Sequence, residues 1–219
     1  MSEQQTVLLV VAAFAVFFVL LVVFALRRSS KTVEAFYRLG QELGFQDLRR
    51  TRFFGAGVRG MWNGHAVRMQ MFGRYKSMPE RIITQITTQS PGRILITRRT
   101  SGILSKPMTM FGPPIVTPQN LADPERFWVR SDQPAFIERF FAGSSVAPQL
   151  ETNLIVAFDL VDLNAKRLVI RRATDESKVR EKYGIPMIRF RRDASYVETI
   201  AREEWQLATT MVRELSLRP

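Results

Sequence analysis

The sequence predicts an α+β chain: one N-terminal transmembrane helix, then a soluble domain of antiparallel strands covered by helices. Three observations carry this. Residues 7–26 read VLLVVAAFAVFFVLLVVFAL, twenty positions without a charge, a polar side chain, a Gly or a Pro. Several later segments alternate apolar and polar residues and are parted by turn residues, the pattern of half-buried strands. The last stretch repeats apolar residues every three or four positions, the period of an amphipathic helix.

A helix over 7–26 extends about 30 Å, the thickness of a bilayer's hydrocarbon core. Val7, Phe14, Phe17, Phe18, Phe24 and Leu26 are its expected membrane anchors. A cleaved signal peptide needs a basic start and a shorter apolar stretch; here the start is MSEQQT. Arg27, Arg28 and Lys31 follow the helix, and basic flanks stay in the cytoplasm. The expected placement is therefore a single pass through the inner membrane, with residues 1–6 as a short non-cytoplasmic tail and 27–219 as a basic cytoplasmic domain.

Residues 30–43 show helical spacing in Val33, Phe36, Tyr37, Leu39 and Leu43, ended by Gly44. This helix either continues the first or is parted from it at Ser29-Ser30. Residues 58–62 and 65–72 flank Asn63-Gly64, a pair suited to the positive φ angles of a type I′ hairpin turn. Residues 81–88 and 93–99 make two more strands, giving a sheet of about four. Residues 100–119 are rich in Pro and Gly, and long loops of this kind are often functional or linkers; Ile103, Leu104, Met108, Met110 and Phe111 form a candidate docking loop. The chain is one domain or two halves, 30–99 and 120–219, joined by that loop. In the second half the expected elements are a strand over 126–130, a helix over 133–142 capped by Asp132, a hairpin of 153–160 with 167–171, a strand over 185–190, and a final helix opened by Ser195-Tyr196-Val197-Glu198.

The charge balance narrows function without naming it. The chain has no Cys, one His, 32 Lys+Arg and 20 Asp+Glu. Disulfides, thiolate zinc sites, iron–sulfur clusters and thiol nucleophiles are excluded. All 32 basic residues and 19 of the acids follow residue 26, so this part carries 32 − 19 = +13. Anionic lipid head groups attract such a domain. Nucleic acid is the less favoured partner: pairs such as Arg49-Arg50, Arg98-Arg99, Arg171-Arg172 and Arg191-Arg192 point to opposite faces of a strand and do not build one stripe.

Gly55, Gly57 and Gly60 match Gly-x-Gly-x-x-Gly, but a dinucleotide site needs a helix to follow, and Trp62-Asn63-Gly64 follows instead. His65 is the one histidine base, and no Gly-x-Ser-x-Gly elbow accompanies it. Asp159 with Asp162, and Asp123 with Glu125, are pairs suited to acid–base or cation work, though turns favour Asp for their own geometry. Trp62, Trp128 and Trp205 are expected to pack rather than stack on a ligand. No catalytic, cofactor or metal residue is assigned.

Residues 60–67, Gly-Met-Trp-Asn-Gly-His-Ala-Val, and 123–132, Asp-Pro-Glu-Arg-Phe-Trp-Val-Arg-Ser-Asp, resemble stretches in bacterial membrane-anchored α+β proteins of unknown function. The resemblance implies an anchored small domain and transfers no activity. The function expected is a non-enzymatic accessory or scaffold subunit docking on a larger membrane protein complex. The alternatives are an independent anionic-lipid-surface domain and an enzyme of unknown reaction.

Overall fold

The computed structural model describes residues 3–51, 55–73, 79–99, 113–118, 121, 123–156, 159–174, 177–184 and 195–217, and within the first helix the side chains of Gln5, 9–20 and 30–42. Among these residues nine strands form one antiparallel sheet, and five α-helices accompany it. The elements are α1 (Glu3–Glu42), β1 (Gln46–Thr51), β2 (Ala56–Trp62), β3 (His65–Phe72), β4 (Arg81–Thr87), β5 (Ile94–Arg98), β6 (Ile115–Val116), β7 (Phe127–Ser131), α2 (Pro134–Phe141), α3 (Val146–Asn153), β8 (Leu160–Asn164), β9 (Arg167–Ala173), α4 (Ser177–Lys182) and α5 (Ser195–Leu217). The strand order is β1-β2-β3-β4-β9-β8-β5-β7-β6.

The sheet joins what the sequence offered as two halves. β4 pairs with β9 from Arg81↔Ala173 to Thr87↔Arg167, and β5 lies between β8 and β7. One face carries Val58, Met69, Ile82, Ile86, Ile94, Ile96, Val129, Val161, Leu163, Leu168 and Ile170, all buried. α1 covers β1–β3, while α5 covers β4 and β9 and meets α1 and α3. The apolar stripe of α5, from Val197 through Ile200, Ala208 and Met211 to Leu215, is buried in the same core as Phe36 and Leu39 of α1. Each large side chain so buried stabilises by about 1.5–3 kcal/mol against the exposed state.

The expected transmembrane helix is corrected. Among the described residues no helix is long and apolar enough to cross a membrane. Residues 3–42 form one continuous helix, on which the side chains from Leu9 to Leu20 are exposed and Val33, Phe36 and Leu39 are buried in the core. The single-pass inner-membrane placement, with its outside N-terminus and cytoplasmic domain, loses its support with the span. Phe14, Phe17 and Phe18 are exposed on α1 and Lys31 is exposed at its base. The side chains of Val7, Phe24, Leu26, Arg27 and Arg28 lie outside the described residues, as do the candidate docking loop at 103–111, the strand expected over 185–190, and Arg191-Arg192.

Other expectations change in detail. The helix expected over 30–43 is the last part of α1, with no break at Ser29-Ser30. The expected strand over 153–160 is replaced by the end of α3 and a turn, with β8 starting at Leu160. Asp132 does not cap α2. Its carboxylate accepts the Arg93 backbone N–H at 2.9 Å, while the Ser131 hydroxyl accepts the Gln133 N–H at 3.0 Å.

From Ala56 to Gly60 the Gly-rich stretch is part of β2, and its glycines have local reasons. A Cβ on Gly57 would stand 2.0 Å from the Met69 carbonyl oxygen, and one on Gly60 would stand 2.7 Å from that of Gln46. Asn63 (φ 47°) and Gly64 (φ 81°) make the hairpin turn that pairs Trp62 with His65. Gly57→Ala is expected to lose at least about 2 kcal/mol of stability by urea unfolding, because the obstacle is backbone. Gly73→Ala, with open space around it, serves as the near-neutral comparison.

Candidate functional site

Among the described residues, three features outside the apolar core contain the residues that could do chemistry. They are a buried charge cluster under α5, a groove beside His65, and the open face of the sheet.

The cluster follows from Arg172. In β9 alternate residues face opposite sides, and Arg172 takes the helix side, with its side chain 1% exposed. Its Nη1 donates to Asn153 Oδ1 and Glu203 Oε2, both at 3.1 Å, and its Nη2 donates to the Tyr183 hydroxyl at 2.6 Å. The Tyr183 hydroxyl and Lys182 Nζ donate in turn to Glu203 Oε2, at 2.5 and 3.0 Å. Burial would lower the Arg172 guanidinium, but Tyr183, Glu204 and Asp159 outweigh it and hold the group above its ordinary range. For Glu203, burial is outweighed by the donors Tyr183 and Lys182 and by the charge of Arg172, and its carboxyl falls below the usual value.

Asp159 is a brace rather than a catalytic acid. Its Oδ2 accepts the backbone N–H of Ile155 (2.6 Å) and Val156 (3.0 Å), and its Oδ1 that of Ala173 (2.8 Å). It thereby ties the turn before β8 to the end of β9. Burial pushes its carboxyl up, against those three donors and Arg172. Glu204 is fully buried on α5, where the Thr84 hydroxyl of β4 donates to its Oε2 at 2.6 Å. Burial pushes Glu204 up to about 8 despite Arg172 and Thr84. A neutral Glu204 leaves two cations, Arg172 and Lys182, opposite two anions, Asp159 and Glu203. An ionised carboxylate at this fully buried position would carry a large desolvation cost.

The groove, about 1070 Å³, lies at the end of the sheet where His65, Thr87–Pro91, the Ala165-Lys166 turn and Leu215-Ser216 meet. His65 Nδ1 sits 2.7 Å from the Thr87 carbonyl oxygen. A carbonyl only accepts, so Nδ1 carries the proton and, in the neutral ring, Nε2 is the acceptor. The position that a catalytic triad gives to a carboxylate is held by a backbone carbonyl. Ser90 donates its hydroxyl proton to the Gly92 carbonyl at 2.6 Å. The other acids singled out from sequence are separated: Asp162 pairs with Arg93 at 3.3 Å, and Asp123 pairs with Arg126 at 2.6 Å, next to exposed Glu125. No group of acids and His able to hold a metal forms among the described residues. Trp205 is buried edge-on between Phe45 and Trp62, and Trp128 is covered by the Arg99 guanidinium at 4.2 Å.

The Arg-Arg pairs split between the two faces as expected, and the open face gathers one member of a pair, Arg49, with arginines of other strands. Arg50, Arg98 and Arg172 turn to the helix side, where Glu34, the Leu154 carbonyl and Glu203 receive them. Their neighbours Arg49, Arg99 and Arg171 turn to the open side. There Arg49 stands opposite Arg59 and Arg59 opposite Arg68, three arginines in one row across β1, β2 and β3. All three are exposed, and none makes an ion pair among the described residues. Local periodicity gave each residue's face; the row is made by the register, which periodicity does not contain.

Two outcomes follow. Glu204 binds its proton more tightly in the folded chain (about 8) than in the unfolded one (4.5), so the folded state holds more protons between those values. Its contribution to stability is complete below about pH 4.5 and declines as pH rises toward 8, by at most about 1.4 kcal/mol per unit. Glu204→Gln is expected to flatten that decline in urea midpoints taken from pH 5 to 8; an unchanged slope would mean that Glu204 is ionised. Like charges directly opposite in a sheet destabilise it. Arg59→Gln is therefore expected to raise stability by a few tenths of a kcal/mol at low salt, with the gain vanishing at high salt.

No family model, no curated protein and no solved structure matches the chain, so these sites are read from its own residues.

Proposed function

We propose that the protein is a non-enzymatic accessory or scaffold subunit that docks on a larger protein assembly through the outer part of α1. The observation that carries this reading is the segment Leu9–Leu20. Its large apolar side chains are 52–71% exposed, and apolar surface of that extent marks a contact site. The same helix continues without interruption to Val33, Phe36 and Leu39, which are buried in the core. A contact made by the outer segment is thereby coupled to the domain by helix rather than by a flexible linker. The fitting partner is an assembly with an apolar surface that receives a helix. His65 oriented by a carbonyl, and Asp159 engaged with three backbone donors, both favour a structural over a catalytic use of these residues.

Native-mass analysis of the full chain taken from its source cells tests this. A particle well above the chain's own 25.2 kDa is expected. Phe14→Gln, Phe17→Gln and Phe18→Gln together should release the monomer with an unchanged urea midpoint, because these rings lie outside the core. A wild-type chain found as a free monomer would overturn the reading.

A further inference from the structure

We propose that the open face of the sheet binds a linear phosphodiester chain, a single strand of nucleic acid, along the row Arg49, Arg59 and Arg68. Neighbouring strands lie about 4.8 Å apart, so the row spans about 10 Å at right angles to the strands. Gln85 of β4 continues it, directly opposite Arg68, and offers amide donors to a phosphate oxygen. Arg81 and Arg171 stand on the same face across the next two strand pairings. The two guanidinium groups feel each other: burial and the charge of Arg81 lower the affinity of Arg171 for its proton, while Asp162 acts the other way. Asp162 lies farther across the sheet on β8 and is engaged by Arg93.

Repulsion along such a row relaxes when anions lie over it. Guanidinium groups suit this because each presents a planar fork of donors matched to phosphate. A single file at fixed intervals fits charges joined in a chain. Lipid head groups diffuse to any array, and a file of three uses only one line of their plane. Since Trp128 on this face is already covered by Arg99, base stacking contributes little, and binding is expected to be electrostatic and indifferent to sequence.

The probe is a fluorescently labelled oligothymidylate of about 20 nucleotides, titrated with the full chain over a series of salt concentrations. Binding should weaken with salt. The variant R49Q/R59Q/R68Q should bind about tenfold more weakly at low salt, and its slope of log K against log salt should be shallower by about 2, three contacts at about 0.7 each. The charge-matched variant R38Q/R139Q/R213Q, whose residues are exposed on α1, α2 and α5, should retain the wild-type slope. Circular dichroism and urea midpoints establish that both variants fold. Equal losses in the two variants would overturn the proposal, because net charge alone would then explain binding. So would a failure to bind the oligonucleotide, including the case in which phosphatidylglycerol vesicles bind through the same three arginines.

Discussion

The pairing of β4 with β9 is the constraint on which the rest of the molecule depends. It joins the meander β1–β4 to the strands of the second half, and its register sets the side to which each residue of β9 turns. Slipping it by one residue would move Leu168 and Ile170 out of the core and exchange Arg171 with Arg172. Arg172 would lose Asn153, Tyr183 and Glu203 at once, and the unpaired charge would be left on one side or the other. The register is held twice, by the apolar face of β9 and by the partners that the two Nη atoms of buried Arg172 find on the helix side, Asn153, Glu203 and Tyr183.

That satisfaction is specific rather than generous. Burying the Arg172 guanidinium and the Asp159 carboxylate carries a desolvation cost that their partners offset only with good geometry. Here the geometry is dense: Glu203 Oε2 takes donors from Arg172, Lys182 and Tyr183, and Asp159 takes three backbone N–H groups. The cluster ties α3, α4, α5 and β9 to one another through Asn153, Lys182, Tyr183, Glu203 and Arg172. A protonated Glu204 beside it keeps the charges balanced, and this is why its carboxyl can sit against Thr84 in an otherwise apolar contact between α5 and β4.

Features set by neighbouring residues were legible in the sequence. The Asn63-Gly64 turn needs only two residues with positive φ, and the face of α5 needs only its own period. What depends on distant partners was not. The place of β5 between β7 and β8, the brace made by Asp159, and the row of Arg49, Arg59 and Arg68 all arise from pairings between segments far apart in the chain. The Arg-Arg dipeptides illustrate the limit. Alternation correctly sends Arg171 and Arg172 to opposite faces, yet it does not say which face is covered or which arginines of other strands lie alongside. α3 was missed because Pro148 and a polar sequence hide a helix that is held by burial of Val146, Leu150 and Asn153. The apolar leader carried a strong local signal for a membrane span, and the described residues of α1 do not support one.

The two surfaces proposed as binding sites belong to different parts of the fold, the outer part of α1 and the open face of β1–β3. The lower part of α1 lies against the helix side of β1–β3, and the arginine row lies on the other side. Between the lower part of α1 and the row is β2, where Gly57 and Gly60 leave backbone packed on backbone with no room for a Cβ. A strand packed so closely has little freedom to shift when either side is occupied. The sheet in this region acts as a stiff plate, and occupancy of the outer part of α1 and of the open face is expected to be additive rather than cooperative.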